Sequence, residues 1–358
     1  MKEKRLSQIE LLRILSMVMI VAHHVIGCAA TQLEGSTYFS YPAIYNNIYI
    51  LDVGAMFGGI GNDLFILISG YFLASKEELN LINTTKKLFY QIGYSTVVLV
   101  IGSFIWYRIT MAKEYSNVLL ADASNFNSMY WFVGYYFLVL LIGKVVLNKF
   151  LNKIDRKQYL ELLLILFTVI SIGWIGDLLD GLTNGLRLLC TGVFLYSLGG
   201  YIKKYNPFNN IRWYVILIIW VCLGWFLYIT SYNTRITQLE TYVRNQSEET
   251  FVPERIFYGN YHIFVLISCI LLFEMFRRMN IKTSTIVDFF GKSTFMVYLI
   301  HSNIGFNYIY SEKNWMELLY YRPFGFIVEI SKYTLYTFLL GVFAYGVYCV
   351  IQRVLTKR

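Results

Sequence analysis

Ten long apolar runs, near residues 9–30, 54–74, 88–109, 129–148, 159–176, 185–202, 213–231, 260–279, 286–309 and 324–351, set the terms for this chain. Each is about the 17 to 25 residues, or more, that an α-helix needs to cross a bilayer. Hydrocarbon offers no water to pair backbone N–H and C=O groups, so such a segment must bond within itself or within a closed barrel. Barrel strands alternate apolar and polar residues over about 10 positions, whereas these runs are continuous. The expected fold is all-α: a polytopic transmembrane helical bundle of about ten spans, forming one membrane-embedded domain over residues 1–358 with no separate soluble domain.

Charge distribution orients the bundle. With hydrophobic residues at 57 % and charged ones at 15 %, the net charge of +9 resides mainly in the connections between runs. Alternating the ten spans places 22 Lys and Arg on the side of the termini and 9 on the other. The positive-inside rule then makes both termini cytoplasmic, and it accounts for the basic charge without a nucleic-acid partner. The larger outer loops are expected at Thr31–Val53, Met111–Ser128 and Ser231–Gly259, the last carrying Glu240, Glu248, Glu249 and Glu254. Cys28, Cys190, Cys222, Cys269 and Cys349 lie in or beside apolar runs without metal-ligand spacing, so they read as packing residues and no metal is expected. Val25-Ile26-Gly27-Cys28 is like a lipoprotein cleavage box, but Glu10 and Arg13 interrupt the apolar segment that a signal peptide requires.

The first run holds the residues with most chemical potential: Glu10, Arg13, His23 and His24. Ionisable groups inside a span are costly and mark a site by default. Arg13 and His24 are eleven positions apart, close to three helical turns, so they share a face roughly 16 Å apart along the axis. Glu10 can pair with Arg13 at i,i+3, and His23 points about a quarter turn from His24. A deep histidine suits proton transfer, because its reference pKa of about 6.5 lies near neutrality. On this helix alone, a buried ion pair with a hydrogen-bonded histidine is an equal reading.

Leu11-Leu12-Arg13, an apolar run and Ala22-His23-His24 resemble the amino-terminal signature of the acyltransferase-3 family of bacterial membrane O-acyltransferases, in which an Arg precedes a His by eleven residues. Gly61-Asn62-Asp63-Leu64-Phe65-Ile66-Leu67-Ile68-Ser69-Gly70-Tyr71-Phe72 is similar to that family's second-span segment. Trp131-Phe132, Gly199-Gly200-Tyr201 and Ser293-Thr294-Phe295-Met296-Val297-Tyr298-Leu299-Ile300-His301 resemble further family stretches, in the same order. Where the family often carries an Arg-rich segment before the third span, this chain has Lys86 and Lys87, which keep the charge but lose the forked grip of guanidinium.

The resemblance implies an integral-membrane O-acetyltransferase of the bacterial plasma membrane. It would move acetyl from cytosolic acetyl-CoA, a co-substrate, to a hydroxyl of a cell-surface polysaccharide or lipid-linked glycan precursor. His24 would act as general base or acyl relay, Arg13 would hold the donor or stabilise negative charge, and Asp63 would orient His24 or satisfy a helix end. Lys86 and Lys87 would meet donor phosphates or serve as positive-inside anchors. Glu10, His23, Ser69, Trp131 and His301 are candidate site-lining residues; Ser69 lacks a G-x-S-x-G elbow and reads as a packing residue rather than a nucleophile. Arg187, Asp177 and Asp180 lie where a polar acceptor could meet them, or as solvated loop charges. The competing reading is a transporter or flippase of lipid-linked glycans that uses Arg13 and His24 as a substrate or proton pathway.

Overall fold

The computed structural model describes residues 6–33, 44–76, 81–110, 131–183, 185–245, 259–301 and 304–356; these form helices joined by short turns, with no strand among them. The helices are α1 (Ser7–Leu33), α2 (Tyr45–Leu73), α3 (Leu81–Thr110) and α4 (Trp131–Lys153), the last widened by a π-turn at Gly143–Leu147. There follow α5 (Arg156–Ser171), α6 (Gly173–Leu182), α7 (Leu186–Tyr205) and α8 (Trp213–Asn245). The remainder are α9 (Ile263–Arg277), α10 (Thr285–His301), α11 (Ile304–Ser311), α12 (Trp315–Tyr321) and α13 (Pro323–Thr356). A helix occupies each of the ten expected stretches. Five of them, α1, α2, α4, α8 and α13, are long and apolar enough to cross a membrane, or six if the pair α5 and α6, bent by 81°, is one broken span.

Local chemistry sets several boundaries. Asp155 accepts hydrogen bonds from the Lys157 and Gln158 backbone N–H groups while the Gln158 side chain accepts from the Asp155 N–H, a capping box that starts α5. Gly185 and Asn206 take positive φ, 86° and 44°, on either side of α7, conformations that glycine and asparagine adopt at least cost.

The structure revises four expectations. The expected loop Ser231–Gly259 is helical as far as Asn245, because Ser231 and Arg235 are buried against α2 rather than solvated. Glu248, Glu249 and Glu254 lie outside the described residues, as does the expected loop Met111–Ser128. The run at 286–309 is divided, with α10 ending at His301 and α11 beginning at Ile304. The run at 159–176 bends at Ile172, whose backbone is extended (φ −78°, ψ 114°), so Asp177 and Asp180 sit on a helix instead of a loop. Of the loop expected at Thr31–Val53, α1 and α2 take all but the segment between Leu33 and Tyr45.

At the centre, α1 packs along α2 and α10, and α2 packs along α7. Gly54, Gly58 and Gly61 of α2 face Ile26, His23 and Ser16 with Ile20 of α1, respectively, which sets an antiparallel register. The closest approach is between α2 and α7: a side chain at Gly70 would strike the Tyr196 backbone, and one at Gly199 the Leu67 carbonyl and Tyr71 N–H. Small residues of this kind let membrane helices pack by van der Waals contact where lipid supplies no hydrophobic drive between them. The outer helices are different. Only 17 % of the apolar window of α8 is buried, and Trp213, Trp220, Val221 and Trp225 stand exposed. Exposed apolar surface on that scale is lipid contact in a multi-pass membrane protein.

Candidate active site

Where α1 crosses α10, two imidazoles meet. The rings of His24 and His301 are 5.0 Å apart at 62°, edge to face, and His23 lies 5.4 Å from His24. Adjacent in sequence, the two α1 histidines face different helices. The ring of His23 covers Gly58 of α2, where a Cβ would come within 2.7 Å of it, while His24, half-buried, turns to α10.

His301 is fully buried. Its Nδ1 lies 2.7 Å from the Tyr298 carbonyl and 3.2 Å from that of Val297. Carbonyl oxygens only accept, so these partners assign the proton to Nδ1 and leave the Nε2 lone pair as an acceptor. That Nε2 has no hydrogen-bond partner among the described residues.

At the other end of the shared face, Arg13 donates to Glu10 at 2.6 Å and lies over the Phe72 ring. Glu10 is buried against Gly291 of α10, where a side chain would collide with its carboxylate. Arg13 also lines a cavity of about 280 Å³, close to the lower end of the roughly 300–1,000 Å³ usual for small-molecule sites. Lys87 and Lys292 line it with Arg13, so three cationic side chains border one space. Ser69 faces the same cavity; its hydroxyl is bonded to the Phe65 carbonyl and to the Tyr136 hydroxyl, each at 2.8 Å, as befits a positioned packing residue. Tyr298 belongs to both regions, lining the cavity with its ring 5.3 Å from His301.

The remaining expected residues separate. Lys86 is exposed and does not border this cavity, and Trp131 is 45 % exposed while its neighbour Phe132 lines the wall. Asp63 is fully buried, yet its Oδ1 accepts from the Asn260 side chain at 3.3 Å and its Oδ2 is unbonded among the described residues. The antiparallel register puts Asp63 level with Met17 of α1, about seven residues or roughly 10 Å from His24 along the axis.

Sequence reasoning passed over Lys292 as one more topological charge. A signal was nevertheless legible: Gly291, Thr294, Phe295 and Tyr298 recur at helical spacing and all line the cavity. It also passed over Asp52, whose carboxylate forms a buried pair with Arg235 of α8 and accepts from Ser231 Oγ at 2.6 Å. Arg187, far from being a solvated loop charge, is buried; it donates to the Ile170 carbonyl at 3.0 Å, pairs with Asp177 at 3.4 Å and stacks 4.0 Å over Tyr261.

Among the described residues, no group of three or more His, Cys, Asp or Glu could hold a metal ion. A cavity bordered by three cationic side chains suits an anionic ligand, and its wall residue Tyr298 lies against His301. No curated protein and no solved structure matches the chain. The model of an acyltransferase domain, however, matches residues 6–352, nearly the whole length, and the protein therefore belongs to the acyltransferase-3 family.

Proposed function

We propose that this protein is an O-acetyltransferase of the bacterial inner membrane, with ten spans and cytoplasmic termini. It moves acetyl from cytosolic acetyl-CoA to a hydroxyl of a surface polysaccharide or a lipid-linked glycan precursor. The observation that carries the reading is the cavity in which Arg13, Lys87 and Lys292 converge, joined through Tyr298 to the histidines at the far end of the Arg13 face. Three cations suit phosphate groups of a carrier, and a cavity of this size receives a segment of the donor rather than its whole length.

His24 is the general base. The acceptor O–H breaks as its proton passes to the His24 imidazole, and the hydroxyl oxygen bonds to the thioester carbonyl carbon. The C–S bond then breaks, and the proton returns from His24 to the departing thiolate. Arg13 holds the donor from the cytosolic side.

Proteoliposomes containing the purified protein, given labelled acetyl-CoA and a glycan acceptor, test this directly. The expected result is labelled glycan with wild-type protein and none with His24→Ala. Movement of unmodified lipid-linked glycan across the bilayer without acetylation would establish the transport reading instead.

A further inference from the structure

We infer that His301 is the positioning residue of the transfer site, orienting His24 by serving as a neutral, single-tautomer hydrogen-bond acceptor. The inference rests on the reading of His24 as the base. A general base that takes a proton on one ring nitrogen still carries N–H on the other, and that second N–H needs a fixed acceptor to hold the ring in its productive orientation. A carboxylate commonly fills this position, but Asp63 lies at another level of α2 and engages Asn260.

His301 has the required properties. Tyr298 and Val297 carbonyls bind its Nδ1–H, so its tautomer is set by its own helix. The opposite edge of the ring offers a lone pair in a site closed to solvent, and the His24 ring stands beside it. A buried acceptor with no donor carries a free-energy cost that an apolar side chain of similar shape would avoid. Catalytic hydrogen bonds of this class often close only with substrate in place. When His24 becomes imidazolium, its second N–H donates to His301 Nε2, and no bond of His301 itself is made or broken. The ring of Tyr298, which also walls the cavity, packs 5.3 Å from that of His301.

The test uses full-length protein in proteoliposomes with acetyl-CoA and the glycan acceptor, comparing His301→Phe with His301→Gln. Phenylalanine fills the space without an acceptor; the glutamine amide oxygen restores one. His301→Phe should lower kcat by roughly 10²-fold, a typical share for positioned acid–base catalysis, with KM for both substrates within about twofold of wild type, while His301→Gln should recover much of the loss. Wild-type kcat in His301→Phe, or equal losses in the two variants with KM raised, would overturn the inference. If His301→Phe fails to accumulate, the His301→Gln result decides alone: near-wild-type kcat supports the acceptor role, and loss as complete as in His24→Ala refutes it. His24→Ala in parallel separates the two claims, because activity retained there refutes the base itself, whereas an inactive His24→Ala beside a fully active His301→Phe refutes only the pairing.

Discussion

Gly70 of α2 and Gly199 of α7 lie where two helices touch through their main chains, so that a methyl group on either would enter the backbone of the facing helix. Both belong to short motifs, Ser69-Gly70-Tyr71 and Gly199-Gly200-Tyr201, more than a hundred residues apart. Their meeting anchors α2, the helix whose Gly58 receives the His23 ring of α1.

This contact predicts a stability phenotype. The atoms opposing Gly70 and Gly199 are backbone and cannot swing aside, so Gly70→Ala or Gly199→Ala must separate the helices. We expect a loss of about 1–3 kcal/mol or more, the usual cost of overpacking, measured as a lower unfolding temperature in detergent. Gly93→Ala, with open space around its Cβ position inside α3, is the control and should not lower that temperature.

The two α1 histidines should separate by function. His24→Ala should abolish acetyl transfer while the protein still inserts and accumulates. His23→Ala, which uncovers Gly58 but leaves His24 facing α10, should reduce activity by less. Comparable loss in both variants, measured as initial rates at equal protein, would remove the distinction.

The cavity cations should govern donor affinity. Lys87→Ala and Lys292→Ala each remove a charged partner from the space that Arg13 lines. A charge-assisted bond of about 1.5 kcal/mol corresponds to roughly tenfold in affinity, and exposure reduces that. We expect KM for acetyl-CoA to rise about three- to tenfold in each variant, with a smaller change in Lys86→Ala. Steady-state kinetics over a range of donor concentrations would detect equal shifts for all three lysines, which would contradict the assignment.

The buried pair between Asp52 and Arg235 joins α2 to α8. Removing one partner leaves the other charge buried alone, a change that typically costs about 3–5 kcal/mol. Asp52→Ala should therefore lower the unfolding temperature markedly. The double variant Asp52→Leu, Arg235→Met should recover much of the loss, because an apolar pair has no charge to desolvate.

Much was legible in one dimension. The apolar runs identified the helices, since a hydrocarbon solvent imposes its length requirement on each segment separately. The eleven-residue spacing placed Arg13 and His24 on one face, and Glu10 was correctly paired with Arg13 at i,i+3. These are properties of a single helix, readable from spacing alone. The loop at Ser231 was misread for the complementary reason: Ser231 and Arg235 are polar by composition, and only the presence of Asp52 across the helix interface makes them interior residues.

The amino-acid sequence by itself determined the all-helical class, the family and the face on which Arg13 and His24 lie. Tertiary structure alone decided which histidine turns to α10, that His301 arrives beside it, and that Lys87 and Lys292 share a cavity with Arg13 while Asp63 engages Asn260. The division has a physical cause. Helical phase is local and repeats every 3.6 residues, whereas the axial register between packed helices depends on glycine contacts such as Gly58 with His23, which couple residues that no local period connects.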